Sequence, residues 1–387
     1  TRLSSDLEAL DTLFFREGRP FEVGDSFVAA SDYPPSGFTL QGAVRTAILQ
    51  HLGVDLTRFA LAVRQGADDP FIARLVDVFL RADAGGIALT GPFPMVGDDL
   101  LLPAPLDLYR AGGQWGLLRP GEPVPCDLGC VALPSADAPG LKVQEGKWVT
   151  AGQMERLLAG RTDVLGEALW STVAEEDADG DHALVYRESR VGIARSVASR
   201  TTRESMLTTT THTRPRCNSA IGVIVSGVPE EWVPQGPVAQ QLGGEGRLAR
   251  LSVGPAPALP QAPELRPVGG RVRFRLILAT PARFGGGSWL PPGFAPHTES
   301  GRTCWVGDLE GLPVAVHSAC LGKQVQIGGW DLAHGRPRPL RAYLPAGSVY
   351  FCEAPAAHAA DVVTKLHHRK IGEDTIHGFG HLLVGTW

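Results

Sequence analysis

The stretch "GSVYFCEAPAAHAADVVTKLHHRKIGEDTIHGFGHLLVGTW" (347–387) decides the fold class of this chain. Its β-branched and aromatic start predicts a strand. The segment 356–372 predicts a helix whose buried side carries Val362, Val363 and Leu366. A glycine-flanked turn then leads into an apolar closing strand, so the stretch alternates strand, helix and strand.

The region before this stretch extends the pattern into a compact unit. "RVRFRLILAT" (271–280) alternates apolar and polar residues as a strand does, and strand-like segments follow it. The order is strand, insertion, two strands, helix and strand, which approximates a ferredoxin-like or RNA-recognition-type (RRM-like) unit with its first helix weak or replaced. The first 255 residues fit the same order more loosely. We therefore predict an α+β fold of two tandem ferredoxin-like domains with insertions, including an arginine-rich hairpin, and a C-terminal glycine-rich loop.

The predicted domain boundary lies in a proline-rich segment. "GPAPALPQAPELRPVGG" (254–270) contains five prolines and is the best candidate linker. We expect an N-terminal domain over 1–255 with an inserted hairpin at about 186–216, a linker over 256–269, and a C-terminal domain over 270–387.

Composition and charge limit the function classes. The 387 residues carry a net charge of −5 and lack an apolar run of the roughly 20 residues that a membrane span needs. The six cysteines form no CxxC pair, and Cys126 and Cys130 lack a second pair for zinc. The start of the chain lacks the pattern of a secretory signal, so we expect a cytoplasmic protein with reduced thiols.

The segment 186–216 concentrates positive charge. It contains seven arginines and two glutamates, with no lysine or aspartate. Arginine binds phosphate in a bidentate manner and stacks on bases, which favours contact with a nucleic-acid backbone. A surface ladder of salt bridges is the alternative.

Three interpretations compete for Gly378-Phe379-Gly380. The glycines allow positive φ, so the segment fits a tight turn between helix and strand. It also fits a platform of backbone N–H groups for a ligand such as phosphate. A metal site at the flanking His377 and His381 is the third interpretation, although Gly-Phe-Gly is a poor helix former.

Two arginines and a helix form another candidate anion site. Arg16 and Arg19 bracket a turn, and Arg45 lies on a helix predicted over 37–53. A glycine-rich approach to a helix N-terminus suits an anion, because free N–H groups point there. Ordinary helix capping explains the same residues.

No catalytic motif stands out. The chain lacks GxSxG, HExxH, a complete P-loop and a GxGxxG followed by a suitable helix. "GGEGR" (243–247) lacks the Lys-Ser/Thr of a phosphate-binding loop. We expect His367 and His368 to lie on a solvated helix face. We accordingly expect no enzyme activity, no metal and no cofactor.

A set of motifs, in order along nearly the whole chain, resembles one family. The motifs are "LFFREGRPF" (13–21), "PPSGFTLQGAVRTAI" (34–48), "LTGPF" (89–93), "SRVGIARSVASRTTRESML" (189–207), "LGGEGRLARL" (242–251), "LATPARFGGGSWLPPG" (278–293), "GGWDL" (328–332), "LPAGSVYF" (344–351) and "HGFGHLLVGTW" (377–387). The chain resembles the third subunit of type III-B CRISPR (Cmr) effector complexes, a member of the RAMP superfamily.

This resemblance implies a non-catalytic RNA-binding subunit of a ribonucleoprotein that serves antiviral defence. It implies that the chain grips the 5′ tag of the CRISPR RNA (crRNA) and docks onto the large polymerase-type subunit and a backbone RAMP subunit. Contact with target RNA is expected to be indirect, and no membrane is involved. Carried over motif by motif, the expected RNA-facing residues are Arg16, Arg19, Gly42, Arg45, Arg190, Arg195, Arg200, Arg203, Gly244, Gly246, Arg247, Gly378, Phe379 and Gly380.

Two alternatives remain open at this point. One is a metal-independent crRNA-processing endoribonuclease of the same superfamily, with His212, His377 or His381 as general acid or base. The other is a scaffold that contacts only protein. The segments 51–86 and 110–146 match none of the motifs.

Overall fold

The computed structural model describes residues 3–17, 28–81, 86–166, 168–173, 182–195, 199 and 201–387. Five α-helices lie in these ranges: α1 Gly37–His51, α2 Leu56–Gln65, α3 Pro70–Leu80, α4 Ala151–Leu158 and α5 Ala359–Leu366. None of the helices in the described ranges has the length and apolar character needed to cross a bilayer.

Strands dominate the rest of the described chain. The first thirteen are β1 Leu3–Ala9, β2 Val28–Ala29, β3 Ala88–Val96, β4 Asp99–Pro103, β5 Leu108–Ala111, β6 Gln114–Leu117, β7 Arg119–Cys126, β8 Gly129–Ser135, β9 Lys142–Val143, β10 Lys147–Thr150, β11 Trp170–Val173, β12 Ala183–Arg195 and β13 Thr202–Pro215. The others are β14 Ser219–Ser226, β15 Val238–Gln241, β16 Leu248–Pro255, β17 Arg271–Leu278, β18 Ala295–Glu299, β19 Arg302–Leu309, β20 Leu312–Cys320, β21 Val325–Ile327, β22 Trp330–Asp331, β23 Arg336–Pro337, β24 Arg341–Tyr343, β25 Val349–Pro355 and β26 Leu382–Gly385. The predicted α+β class is confirmed.

Helix α1 forms where the sequence predicts it. The Ser36 hydroxyl accepts a hydrogen bond from the Thr39 N–H at 3.4 Å and satisfies one free donor of the first turn. Leu40, Val44 and Ile48 recur at helical spacing and are buried. The helix therefore lies with one face on the core.

Helix α5 is shorter than predicted. The sequence predicts a helix over 356–372, but α5 ends at Leu366. His368 adopts a positive φ of 62°, which a continuing α-helix does not allow. The expectation that His367 and His368 lie on a solvated helix face is wrong, because both follow the helix end and are half-buried.

The chain divides into two compact units that do not follow the predicted linear boundary. Unit 1 comprises the described residues of Thr1–Asp98, Ser171–Ala256 and Gln326–Arg341. Unit 2 comprises Asp99–Trp170, Pro257–Val325 and Ala342–Trp387, again within the described ranges. The division into 1–255 and 270–387 therefore differs from the structure at 99–170 and at 326–341.

A buried ion pair explains why 99–170 belongs to unit 2. Asp107 accepts a hydrogen bond from Arg275 of β17, and these side chains are 0% and 1% exposed. Arg275 also donates to the carbonyl of Leu157 at the end of α4 and to the carbonyl of Thr386. Removing either partner would leave a buried charge alone, so these contacts join the early segment to the C-terminal strands.

Unit 1 is built on an antiparallel sheet of order β15-β16-β1-β14-β3. Helices α1 and α3 cover it, with Leu40, Ile48, Leu75, Phe79 and Ile221 among the core residues. A second set of strands has the order β11-β12-β13-β2. Within it, β12 and β13 form the long antiparallel hairpin that the sequence predicts.

Unit 2 is built on an antiparallel sheet of order β18-β19-β20-β25-β17-β26. Its core includes Phe274, Leu276, Val316 and Val362, so β17, β20 and α5 share one apolar layer. The predicted linker carries no helix or strand between 256 and 267, but it is not a free tether. Leu265 joins this core.

Candidate nucleic-acid interface

The base of the β12–β13 hairpin holds a network of paired charges. Arg214 lies 2.6 Å from Glu188 and 3.1 Å from Asp11. Arg190 lies 2.7 Å from the other oxygen of Glu188. Hydrogen bonds from Arg190 and then from Arg214 lower the pKa of Glu188. At the hairpin base, then, the arginines already form a ladder of ion pairs.

Arg247 belongs to the same network. It leaves the "GGEGR" turn and lies 3.3 Å from Asp11 and 3.9 Å from Glu245. A count of acids within the hairpin segment misses both partners, because they come from other parts of the chain. In the same turn, the N–H of Gly244 donates to the carbonyl of Phe14 at 2.8 Å, and Gly246 is exposed.

His212 is sealed beneath this network. Its Nδ1 lies 3.2 Å from the Thr12 hydroxyl, and its Nε2 lies 2.9 Å from Glu245. Its ring stacks on Phe14 with 5.0 Å between centroids, and burial lowers its pKa. The ring is fully buried, so it holds the hairpin base in place and has no exposed edge for a substrate.

The remaining arginine predictions concern residues that the structure describes only in part. Arg19 and Arg200 lie outside the described residues. Arg195 and Arg203 are described by backbone alone, at the end of β12 and the start of β13. Arg16 is exposed and forms a backbone bridge with Ser31. RNA contact at these residues stays a prediction.

Helix α1 carries a guanidinium for which the described residues supply no counter-charge. Arg45 donates a hydrogen bond to the carbonyl of Phe79 and lies 5.8 Å from the centroid of the Phe79 ring. Within the described residues, no carboxylate lies at ion-pairing distance from it. Burial, and then the nearby charge of Arg338, lower the pKa of Arg45 to about 10. A bound anion would relieve both effects.

Gly42 lies one turn before Arg45 and faces open space. A Cβ added there would meet no atom within 4 Å. Arg338, from the segment 326–341, lies 5.1 Å over the ring of Phe38 at the start of the same helix. Sequence reasoning missed Arg338, because no local pattern places it beside α1.

The glycine loop near the C-terminus is turned inward. Gly378, Phe379 and Gly380 are all buried. The N–H of Gly378 donates to Thr375 at 3.1 Å, and that of Gly380 donates to Pro281 at 2.8 Å. These amide groups are therefore used within the chain. This geometry favours the turn over the ligand platform.

Phe379 anchors this loop in the core of unit 2. It is 2% exposed, and its ring centroid lies 4.7 Å from that of Tyr343. Gly380 has φ of 73°, and a Cβ there would overlap the carbonyl of Ile371. Glycine is needed at this position for the fold itself.

The histidines beside this loop form internal contacts. His381 is buried, and its Nε2 lies 3.0 Å from Nδ1 of His368. His367 has both ring nitrogens engaged: Nε2 with the carbonyl of Pro260 at 2.8 Å, and Nδ1 as acceptor from the Val384 N–H at 3.0 Å. Burial lowers the pKa of His367. Only the neutral ring satisfies both bonds.

Chains in several solved structures are similar to this chain. One is in the cryo-EM structure of the type III-B Cmr-beta bound to cognate target RNA, with 14% identity, 91% of this chain and 86% of that chain covered, and a TM-score of 0.47. Another is in the same assembly with cognate target RNA and AMPPnP, with 12% identity, the same coverage and a TM-score of 0.46. A third is in the Csm3-Csm4 subcomplex of the type III-A CRISPR-Cas interference complex, with 8% identity, 90% and 92% covered, and a TM-score of 0.34.

A comparison with curated proteins found no match to this chain. A family model described as "CRISPR-associated protein (Cas_Cmr3)" matches residues 5–387, almost the full length. The resemblance that the sequence motifs carry is thereby confirmed. The chain belongs to the Cas_Cmr3 family of CRISPR-associated proteins.

Proposed function

We propose that this chain is the non-catalytic RNA-binding subunit of a type III-B CRISPR effector complex. It grips the 5′ tag of the crRNA and docks to the large polymerase-type subunit and a backbone RAMP subunit. Membership of the Cas_Cmr3 family supports the role in a CRISPR effector.

The observation that carries the proposal is a pair of cations, Arg45 on α1 and Arg338 beside that helix. Arg338 lies close enough to lower the pKa of Arg45, and no carboxylate among the described residues lies at ion-pairing distance from either side chain. A partly buried charge costs free energy unless it is paired. A phosphate between these guanidinium groups supplies the missing charge and accepts their N–H groups.

Gly42 supports an approach of RNA to the same helix. An alanine would stabilise the middle of a helix by about 1 kcal/mol relative to glycine, and the fold leaves room for its Cβ. The glycine therefore has no packing reason within the described chain. A missing side chain lets a sugar-phosphate backbone approach the helix closely.

The hairpin arginines divide into two roles. Arg190 and Arg247 are tied to carboxylates, so they hold the hairpin base rather than supply spare charge. Arg195, Arg200 and Arg203 lie nearer the hairpin tip in the sequence, and we assign RNA contact to them. Gly378, Phe379 and Gly380 build the fold of unit 2.

The strand orders support two ferredoxin-like modules. In unit 1 the central order is β16-β1-β14-β3, and in unit 2 it is β26-β17-β25-β20. If the four strands of each sheet are numbered in the order in which they occur along the chain, both sheets have the strand order fourth, first, third, second. Shared order in two halves is consistent with the tandem arrangement that the family resemblance implies.

The endoribonuclease alternative gains no support from the histidines. His212 and His381 are fully buried, and a general base must reach the hydroxyl from which it removes a proton. His377 lies in the short turn before Gly378, and no sequence motif pairs it with a second catalytic group. We therefore keep the non-catalytic assignment.

Filter binding of tag RNA across a salt series tests the proposal. Arg338→Gln should weaken binding and reduce the slope of log affinity against log salt by about 1, because one phosphate contact is lost. The triple change of Arg195, Arg200 and Arg203 to Glu should weaken binding further. Arg64→Gln is the matched control, since Arg64 is exposed on α2. Equal effects of Arg338→Gln and Arg64→Gln, or affinity that does not depend on salt, would contradict the proposal.

A further inference from the structure

A short hairpin in unit 1 exposes a tryptophan. Strands β22 and β23 pair Trp330 with Pro337 and Asp331 with Arg336. The Trp330 side chain is 58% exposed, although tryptophan gains more from burial than almost any other residue. A large aromatic ring held at the surface by a two-stranded hairpin indicates a binding contact.

The hairpin is fixed against the start of α1. The N–H of Arg338 donates to the carbonyl of Gly329 at 2.9 Å. Gly329 has φ of 142°, and a Cβ there would lie 3.8 Å from both the Cβ of Phe38 and the Cδ of Arg338. Trp330 therefore extends from an element that lies beside Arg338 and the start of α1.

The charge around Trp330 is positive. No carboxylate in the part of the chain that the structure describes lies at ion-pairing distance from Arg336 or Arg338, although Asp331 and Arg338 attract each other at longer range. The nearby acid, Asp331, is engaged by His334, with 2.9 Å between Oδ2 and Nδ1. An exposed aromatic ring among unpaired guanidinium groups is the arrangement that binds single-stranded nucleic acid, with bases on the ring and phosphates on the arginines.

We infer that Trp330 is a stacking platform for one unpaired base of RNA whose backbone passes Arg338 and Arg45. This inference rests on the proposed function and names a contact within it. Stacking uses the face of a base and releases no counterions, whereas the arginine contacts do. The two kinds of contact therefore have separable signatures.

The test uses the full chain and tag RNA, with variants Trp330→Ala, Trp330→Phe and Leu332→Ala. Trp330→Ala should reduce affinity about tenfold at unchanged salt slope, and Trp330→Phe should recover most of the loss. Leu332 is 73% exposed on the turn of the same hairpin, so Leu332→Ala is the matched control and should have no effect. Thermal melting checks that each variant is folded.

A series of tag RNAs, each with one abasic nucleotide, locates the base. For one position, the wild-type chain should lose about tenfold in affinity, and Trp330→Ala should lose nothing more. If Trp330→Ala binds all RNAs like the wild type, the inference is wrong. The proposed function still holds in that case if RNA binding depends on salt. RNA binding that does not depend on salt would contradict both the inference and the proposed function. If Trp330→Ala and Leu332→Ala leave RNA affinity intact and instead weaken assembly with other subunits, the patch is a protein-docking surface and the inference is overturned.

Discussion

Replacing Asp107 with asparagine tests whether the segment 99–170 is an integral part of unit 2. The change keeps the size of the side chain but removes the only carboxylate that pairs with Arg275 among the described residues. Arg275 keeps its bonds to the carbonyls of Leu157 and Thr386, which are neutral acceptors. Because both side chains are inaccessible to solvent, water cannot screen the orphaned charge.

Breaking a buried pair from one side costs about 3–5 kcal/mol, so Asp107→Asn should lower the free energy of unfolding of unit 2 by that amount. The double variant Asp107→Leu with Arg275→Met should cost far less, because no unpaired charge remains. Urea unfolding followed by tryptophan fluorescence measures both. Arg271→Ala, on the exposed face at the start of β17, is the control and should change stability by less than about 0.5 kcal/mol. A cost below about 1 kcal/mol for Asp107→Asn would refute the reasoning.

Three further predictions follow from single positions. Gly42→Ala should stabilise the chain by about 0.5–1 kcal/mol in urea unfolding and yet weaken tag-RNA binding; unchanged RNA affinity would remove Gly42 from the interface. Gly380→Ala should lower the free energy of unfolding by at least about 2 kcal/mol, because the new Cβ overlaps a carbonyl in addition to the strain of positive φ. Gly246→Ala, at φ of 65° in open space, should lower it by about 1 kcal/mol. Similar melting temperatures for the two variants would contradict the overlap at Gly380. The lowered pKa of His367 means that the unfolded chain binds more protons, so unit 2 should lose stability as pH falls below about 6.5. Melting curves from pH 7.5 to 5.5 check this, and His367→Gln should show a flatter dependence.

The elements with strong local signals are those that sequence reasoning predicts well. Apolar spacing predicts α1, and the local cap at Ser36 starts it. The β12–β13 hairpin also follows from its β-branched composition. Each of these features is set by residues within a few positions of one another.

Strand β1 shows why other elements escape such reasoning. Its sequence, "LSSDLEA", is mostly polar and contains no β-branched or aromatic residue. It nevertheless pairs with β14 on one side and β16 on the other. Those partners lie more than 200 residues away in the sequence, so tertiary pairing and not local propensity makes this strand.

The candidate site has the same limitation. The sequence concentrates arginines at 186–216, but it does not indicate that Asp11, in the bend after β1, neutralises some of them. The sequence also does not indicate that Arg338 lies beside Arg45. The charge that remains available for RNA is therefore a property of the fold, and only part of it follows from composition.

The most direct test of the central claim is photo-crosslinking within the assembled effector complex. A photoreactive thiouridine placed in the 5′ tag of the crRNA, and separately in the spacer, is irradiated, and the crosslinked peptides are identified by mass spectrometry. The account predicts that tag nucleotides crosslink to the peptides that carry α1 and the segment 326–341. Crosslinks to those peptides from the spacer alone, or none in an intact complex, would contradict it.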